Sequence, residues 1–166
     1  MFWCVPWPAL PATVSNYVTA FTAMVRRKLT ESKTLHVVFD RYYTGSIKGA
    51  TRSKRRGCVR RHLLSLTTPL PKQQVILNSS HNKSQLIELL VASLMKIEVS
   101  DMHQLIVTGP EPAPIEVGKG KWCCDITHEE ADVSMVYIVI REATAAPHSH
   151  IRVICDDTDV LVLLAA

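Results

Sequence analysis

Leu35-His36-Val37-Val38-Phe39 is a short, nearly unbroken apolar run, and it ends in Asp40. A run this brief, without helical spacing, reads as a buried strand. Upstream, Tyr17, Phe21, Met24, Val25 and Leu29 recur at helical intervals. Thr13 or Ser15 would cap a helix from about Val14 to Leu29, and Arg26, Arg27 and Lys28 gather near its end, where cations suit the helix dipole. Before it, residues 1–12 are rich in Trp and Pro and read as irregular. Downstream, Lys48, Arg52, Lys54, Arg55, Arg56, Arg60 and Arg61 crowd a stretch with no acidic residue, within a basic segment spanning 41–62.

Further along, Pro69 and Pro71 mark a break and Val75-Ile76-Leu77 reads as a short strand. Asn82 or Ser84 would open an amphipathic helix to about Lys96, with Leu86, Leu89, Leu90, Ser93 and Leu94 on its core face. Leu105-Ile106-Val107 reads as a strand, followed by a Pro/Gly loop through Gly120. Thr127-x-x-Glu130 has the spacing of a capping box for a helix to about Glu142. Ile151-Arg152-Val153-Ile154-Cys155 reads as another strand, Asp156 to Asp159 as its C-terminal turn, and Val160 onward as a helix. Strands alternating with helices predict an α/β fold with a mostly parallel central sheet flanked by helices.

The chain has 166 residues, enough for one domain with a real core. Its formal net charge of +4 is too small to name a partner. The distribution says more: outside the basic run Asp and Glu outnumber Lys and Arg, which points to one anion-binding face. The five cysteines form no C-x-x-C pair and read as free thiols in a reducing compartment. A zinc site from Cys123, Cys124, His148 and His150 is disfavoured, because adjacent Cys side chains converge poorly on a tetrahedral ion. The apolar N-terminus lacks a basic leader and is broken by Pro6, Pro8 and Pro11, so an intracellular, nuclear or cytoplasmic protein without a membrane span is expected.

Three acidic clusters stand at comparable places. Asp40 ends one strand, Asp157 and Asp159 follow another, and Glu130 and Asp132 open a helix. Ligands of open parallel sheets bind at the carboxyl ends of the strands. Carboxylates gathered there repel one another by about 4 kcal/mol per pair at ~4 Å and an effective dielectric of ~20. Divalent cations relieve that repulsion, and Mg²⁺ and Mn²⁺ prefer such oxygen ligands. Each residue also has a plainer role. Acidic residues at helix starts are common caps, a lone Asp after a strand is commonly a turn residue, and a basic run is commonly a solvated face or an import signal.

Val38-Phe39-Asp40, followed by Lys48 and Arg52 to Arg56, resembles the signature of flap endonuclease and XPG-type nucleases of the PIN-like fold. Glu130-Ala131-Asp132 resembles their "EAE" helix start, and Asp156-Asp157-Thr158-Asp159 their "EDMD" turn, in the same order. The motif-bearing parts are roughly 13–60 and 125–166; residues 62–124 match nothing in that pattern. The resemblance implies a partial PIN-like nuclease domain over 13–166, with 41–62 as a gateway-like segment. It implies that Asp40, Glu130, Asp132, Asp157 and Asp159 hold one or two Mg²⁺ or Mn²⁺ ions. Lys48 and one of Arg52, Lys54 or Arg55 would grip the scissile phosphate, and Arg56, Arg60 and Arg61 would hold the DNA or RNA backbone. Two departures stand out. Residues 1–13 carry no Asp or Glu where the family has an early Asp, and the chain ends before the family's later strand and late Asp, so the domain reads as cut at both ends. The expected function is a metal-dependent phosphodiesterase. A non-catalytic nucleic-acid-binding module is the alternative, and a protein-interaction domain ranks third.

Overall fold

The structure, a computed structural model, describes residues 5–41, 62–109, 111, 113–118, 128, 130–155 and 158–165. Among them are three strands and five helices. In chain order these are α1 (Val14–Thr30), β1 (Thr34–Val38), α2 (Gln73–Leu77), α3 (Ser80–Leu94), β2 (Gln104–Thr108), β3 (Ile115–Val117), α4 (Ala131–Ala145) and α5 (Thr158–Ala165).

The fold is α/β, with a small open sheet in the order β1-β2-β3. β1 and β2 run parallel, from Thr34 opposite Gln104 to Val38 opposite Thr108. β3 is antiparallel to β2, with Val107 opposite Ile115 and Leu105 opposite Val117. The expectation of a mostly parallel sheet is thereby corrected. The Pro/Gly stretch after β2 contains a short return strand, and a strand that folds straight back on its neighbour pairs antiparallel. β3 is followed by Gly118, whose φ of 107° is open to glycine but strained for other residues. A Cβ there would also stand 3.0 Å from Val99 Cγ1.

α1 begins where the sequence places it. Thr13 donates from its backbone N and from Oγ1 to Asn16 Oδ1 at 2.7 and 2.9 Å, closing the first turn. Val14, Tyr17, Val18, Phe21, Val25 and Leu29 form its buried stripe. α3 starts earlier than expected, at Ser80, because Ser79 rather than Asn82 is the N-cap; Ser79 Oγ accepts from Asn82 N. Its inner face is Leu86, Ile87, Leu90, Val91 and Leu94. These two helices pack on each other and on one side of the sheet, where Val37, Phe39, Leu105 and Val107 join a single core. Thr22 Oγ1 and Ser93 Oγ share a hydrogen bond at 2.9 Å between the two helices. The irregular segment before α1 closes this core: Trp7 packs on Tyr17 with centroids 4.7 Å apart and donates Nε1 to Pro71 O.

The opposite face of β1 meets α4. Val38 packs with Ala131, Met135 and Ile138 in a smaller cluster. α5 packs on α4, yet Ile140, Leu161 and Val162 remain 60–71% exposed on this side.

Two strand expectations are overturned. Val75-Ile76-Leu77 lies in the short helix α2, since three apolar residues carry no period that separates a helical turn from a strand. Residues 151–155 form no strand, although their burial alternates. A strand needs a hydrogen-bonded neighbour as well as the right pattern.

A candidate acidic site at the carboxyl end of the parallel strands

The sheet delivers Asp40 to its position. Phe39 N donates to Thr108 O at 3.1 Å, extending the parallel pairing one residue beyond β1. Asp40 therefore lies at the carboxyl end of β1, beside the end of β2. Its Oδ1 accepts the backbone N–H of Ala131 at 3.0 Å, from a residue 91 positions away. Ala131 is the first residue of α4, where backbone N–H groups lack partners within the helix and attract negative charge.

Glu130 and Asp132 flank Ala131. Glu130 is the N-cap of α4, with extended backbone angles and no capping bond from its own side chain. This corrects the capping-box expectation, which placed Glu130 three residues into the helix; Thr127 lies outside the described residues. The carbonyl of Glu130 is held twice, by Ser134 N at 3.1 Å and Ser134 Oγ at 2.9 Å. Asp132 Oδ1 accepts from Val133 N at 2.8 Å. Asp40, Glu130 and Asp132 are thus gathered at one helix start, two sequence clusters joined by a direct hydrogen bond.

Asp159 lies in the first turn of α5, exposed, on a helix that packs against α4. Asp157 lies outside the described residues, as do Lys48, Arg52, Lys54, Arg55, Arg56, Arg60 and Arg61. Among the described residues no group of three His, Cys, Asp or Glu stands close enough to hold a metal ion. The donor chemistry suits a hard divalent cation, since carboxylate oxygens are what Mg²⁺ and Mn²⁺ select. His148 and His150 are described and exposed, whereas Cys123 and Cys124 are not among the described residues.

Two features of this region are silent in the sequence. Thr108 ends β2 opposite Val38, is 1% exposed, and its Oγ1 has no hydrogen-bond partner among the described residues. A buried hydroxyl without a partner is uncommon and costly. Two residues earlier on the same face of β1, His36 Nε2 stands 3.7 Å from Glu142 Oε1 of α4. Burial pushes the His36 pKa below its ordinary value; Glu142 acts to raise it and Arg141 to lower it. Glu116 lies in the same cross-strand row, beyond Ile106.

Compared with protein families, with curated proteins and with solved structures, the chain has no match. No helix among the described residues is long and apolar enough to cross a membrane.

Proposed function

We propose that the chain is a metal-dependent phosphodiesterase of the nuclease kind, acting on DNA or RNA, with a PIN-like domain as its ancestry. The observation that carries this reading is the hydrogen bond from Ala131 N to Asp40 Oδ1. It ties Asp40 to the helix start that Glu130 and Asp132 flank in sequence, at the carboxyl end of parallel strands, where α/β folds place their ligands. Asp40, Glu130, Asp132, Asp157 and Asp159 would supply the oxygen ligands. A bound Mg²⁺ or Mn²⁺ ion would supply the charge that lowers the pKa of a water and offsets the charge developing on phosphorus. Lys48 and one of Arg52, Lys54 or Arg55 would hold the scissile phosphate, while Arg56, Arg60 and Arg61 would hold neighbouring phosphates.

The test is cleavage of single-stranded and flap substrates with Mn²⁺ by the parent and by Asp157→Ala. Loss of cutting with binding retained or tightened supports the assignment; equal cutting by parent and variant refutes it. A second reading, a nucleic-acid-binding module without catalysis, is favoured by the capping role of Asp40, which gives that carboxylate a structural purpose. Salt-sensitive binding by the parent, with no cleavage under any divalent ion, would select it.

A further inference from the structure

The end of β2 turns two neighbouring residues to opposite sides of the sheet. Gly109 faces α3: a Cβ there would stand 3.5 Å from Val91 Cγ2. Thr108 therefore faces α4, since successive residues of a strand alternate. The register agrees. Thr108 lies opposite Val38, and Val38 packs on Ala131, Met135 and Ile138 of α4. Asp40 is two residues beyond Val38 and shares that side, where its Oδ1 accepts from Ala131 N at 3.0 Å. Thr108 and Asp40 thus stand on one face, at the carboxyl ends of adjacent parallel strands, with Cα atoms roughly 8 Å apart by ordinary strand spacing. Thr108 Oγ1 makes no hydrogen bond to Asp40 or to any other described residue, although it is almost wholly buried.

Packing does not explain this hydroxyl. Valine has nearly the same shape, favours strands at least as well and leaves no polar atom dry. Threonine at this point costs stability unless something supplies the missing partner. We propose that Thr108 is a positioning residue of the acidic corner, whose hydroxyl hydrogen-bonds to a water carried by a divalent cation bound beside Asp40. This rests on the reading of that corner as a Mg²⁺ or Mn²⁺ site. The chemistry suits the place. Mg²⁺ sheds water reluctantly and keeps several in its shell, so a hydroxyl that does not ligate the ion directly still meets it through one of them. A hydroxyl can accept from such a water, whose protons the cation has made more acidic. Outer partners of this kind orient the inner ligands, and losing one weakens metal binding about 10- to 100-fold.

The test uses the full chain without nucleic acid. Free Mn²⁺ is followed by electron paramagnetic resonance as the protein is titrated with the metal, and urea midpoints are measured in EDTA. Thr108→Val should bind Mn²⁺ about tenfold more weakly, while its metal-free midpoint rises. Thr108→Ser, which keeps the hydroxyl, should bind within about twofold of the parent. A group with only a structural role moves stability and affinity together; here they move in opposite directions. Asp40→Asn locates the ion: it should weaken binding by itself, and adding Thr108→Val to it should change little more. Thr108→Val binding like the parent overturns the inference, and so does Thr108→Ser binding as weakly as Thr108→Val. A lower metal-free midpoint in Thr108→Val overturns it too, because the hydroxyl would then be satisfied already, as does an unchanged effect of Thr108→Val beside Asp40→Asn. If the parent binds no Mn²⁺, the cation reading itself fails and takes this inference with it, whereas binding by the parent with an unaffected Thr108→Val sinks the inference alone.

Discussion

Asp40 Oδ1 and the backbone N–H of Ala131, 3.0 Å apart, tie the end of β1 to the start of α4. The carboxylate thus has a structural task, and Asn and Ala separate it from any catalytic one. Asp40→Asn retains an oxygen able to accept from Ala131; Asp40→Ala does not. Asp40→Ala should lose about 1–2 kcal/mol in urea unfolding, the usual cost of removing a helix-capping acceptor, and Asp40→Asn clearly less. Both should lose metal-dependent cleavage. An Asp40→Asn variant that cuts like the parent would leave the residue a cap and nothing more.

Thr108 gives the opposite sign. Its buried hydroxyl has no hydrogen-bond partner among the described residues, so exchanging it for a methyl group of similar shape removes a desolvation cost. Thr108→Val should stabilise the fold by about 1 kcal/mol. Urea midpoints at constant m-value measure it, and a destabilised Thr108→Val would show that the hydroxyl is satisfied in solution.

His36 links stability to pH. Its folded-state pKa is depressed, mainly by burial, so the native state favours the neutral ring and the unfolded state binds the proton more readily. Its contribution is complete above the ordinary histidine value of 6.5 and is lost as pH falls through the depressed folded value. One proton limits the slope to about 1.4 kcal/mol per pH unit. Urea unfolding from pH 7.5 to 5 should show stability falling, less steeply in His36→Leu. Glu142 opposes the shift, so Glu142→Gln should carry the loss to lower pH. Parallel profiles for the parent and His36→Leu would assign the acid sensitivity elsewhere.

The basic run makes a prediction that does not depend on catalysis. If Lys54, Arg55 and Arg56 each meet a phosphate, replacing all three with Ala reduces the salt slope of single-strand binding by about 2, at roughly 0.7 per contact. A slope equal to the parent's would remove these residues from the interface.

What the sequence discloses here follows from how local each signal is. α1 was legible from Val14 to Leu29 because its stripe and its Thr13 cap lie within one continuous segment. β1 and β2 were legible as apolar runs, and the first turn of α4 as acidic. Partnership between segments was not. Residues 151–155 alternate in burial as a strand does, yet they form no strand, and β3 hides in a Pro/Gly stretch only three residues long. The site followed the same rule. Asp40, Glu130 and Asp132 were visible as residue types, but their meeting at Ala131 depends on chain segments far apart. Gln85 accepts from Leu64 N through Oε1 and donates from Nε2 to His62 O, a contact without a sequence signal because glutamine on a helix surface is ordinary until its neighbour is known.

The β1–β2 pairing also bears on kinetics. β3 follows β2 after a short connection and can zip onto it within microseconds, whereas Thr34 meets Gln104 only after a long closure. We therefore expect the β2–β3 ribbon to form early and β1 to dock late. Because Asp40 travels with β1, the acidic corner is among the last parts of the molecule to mature, and lesions there should accelerate unfolding more than they slow folding.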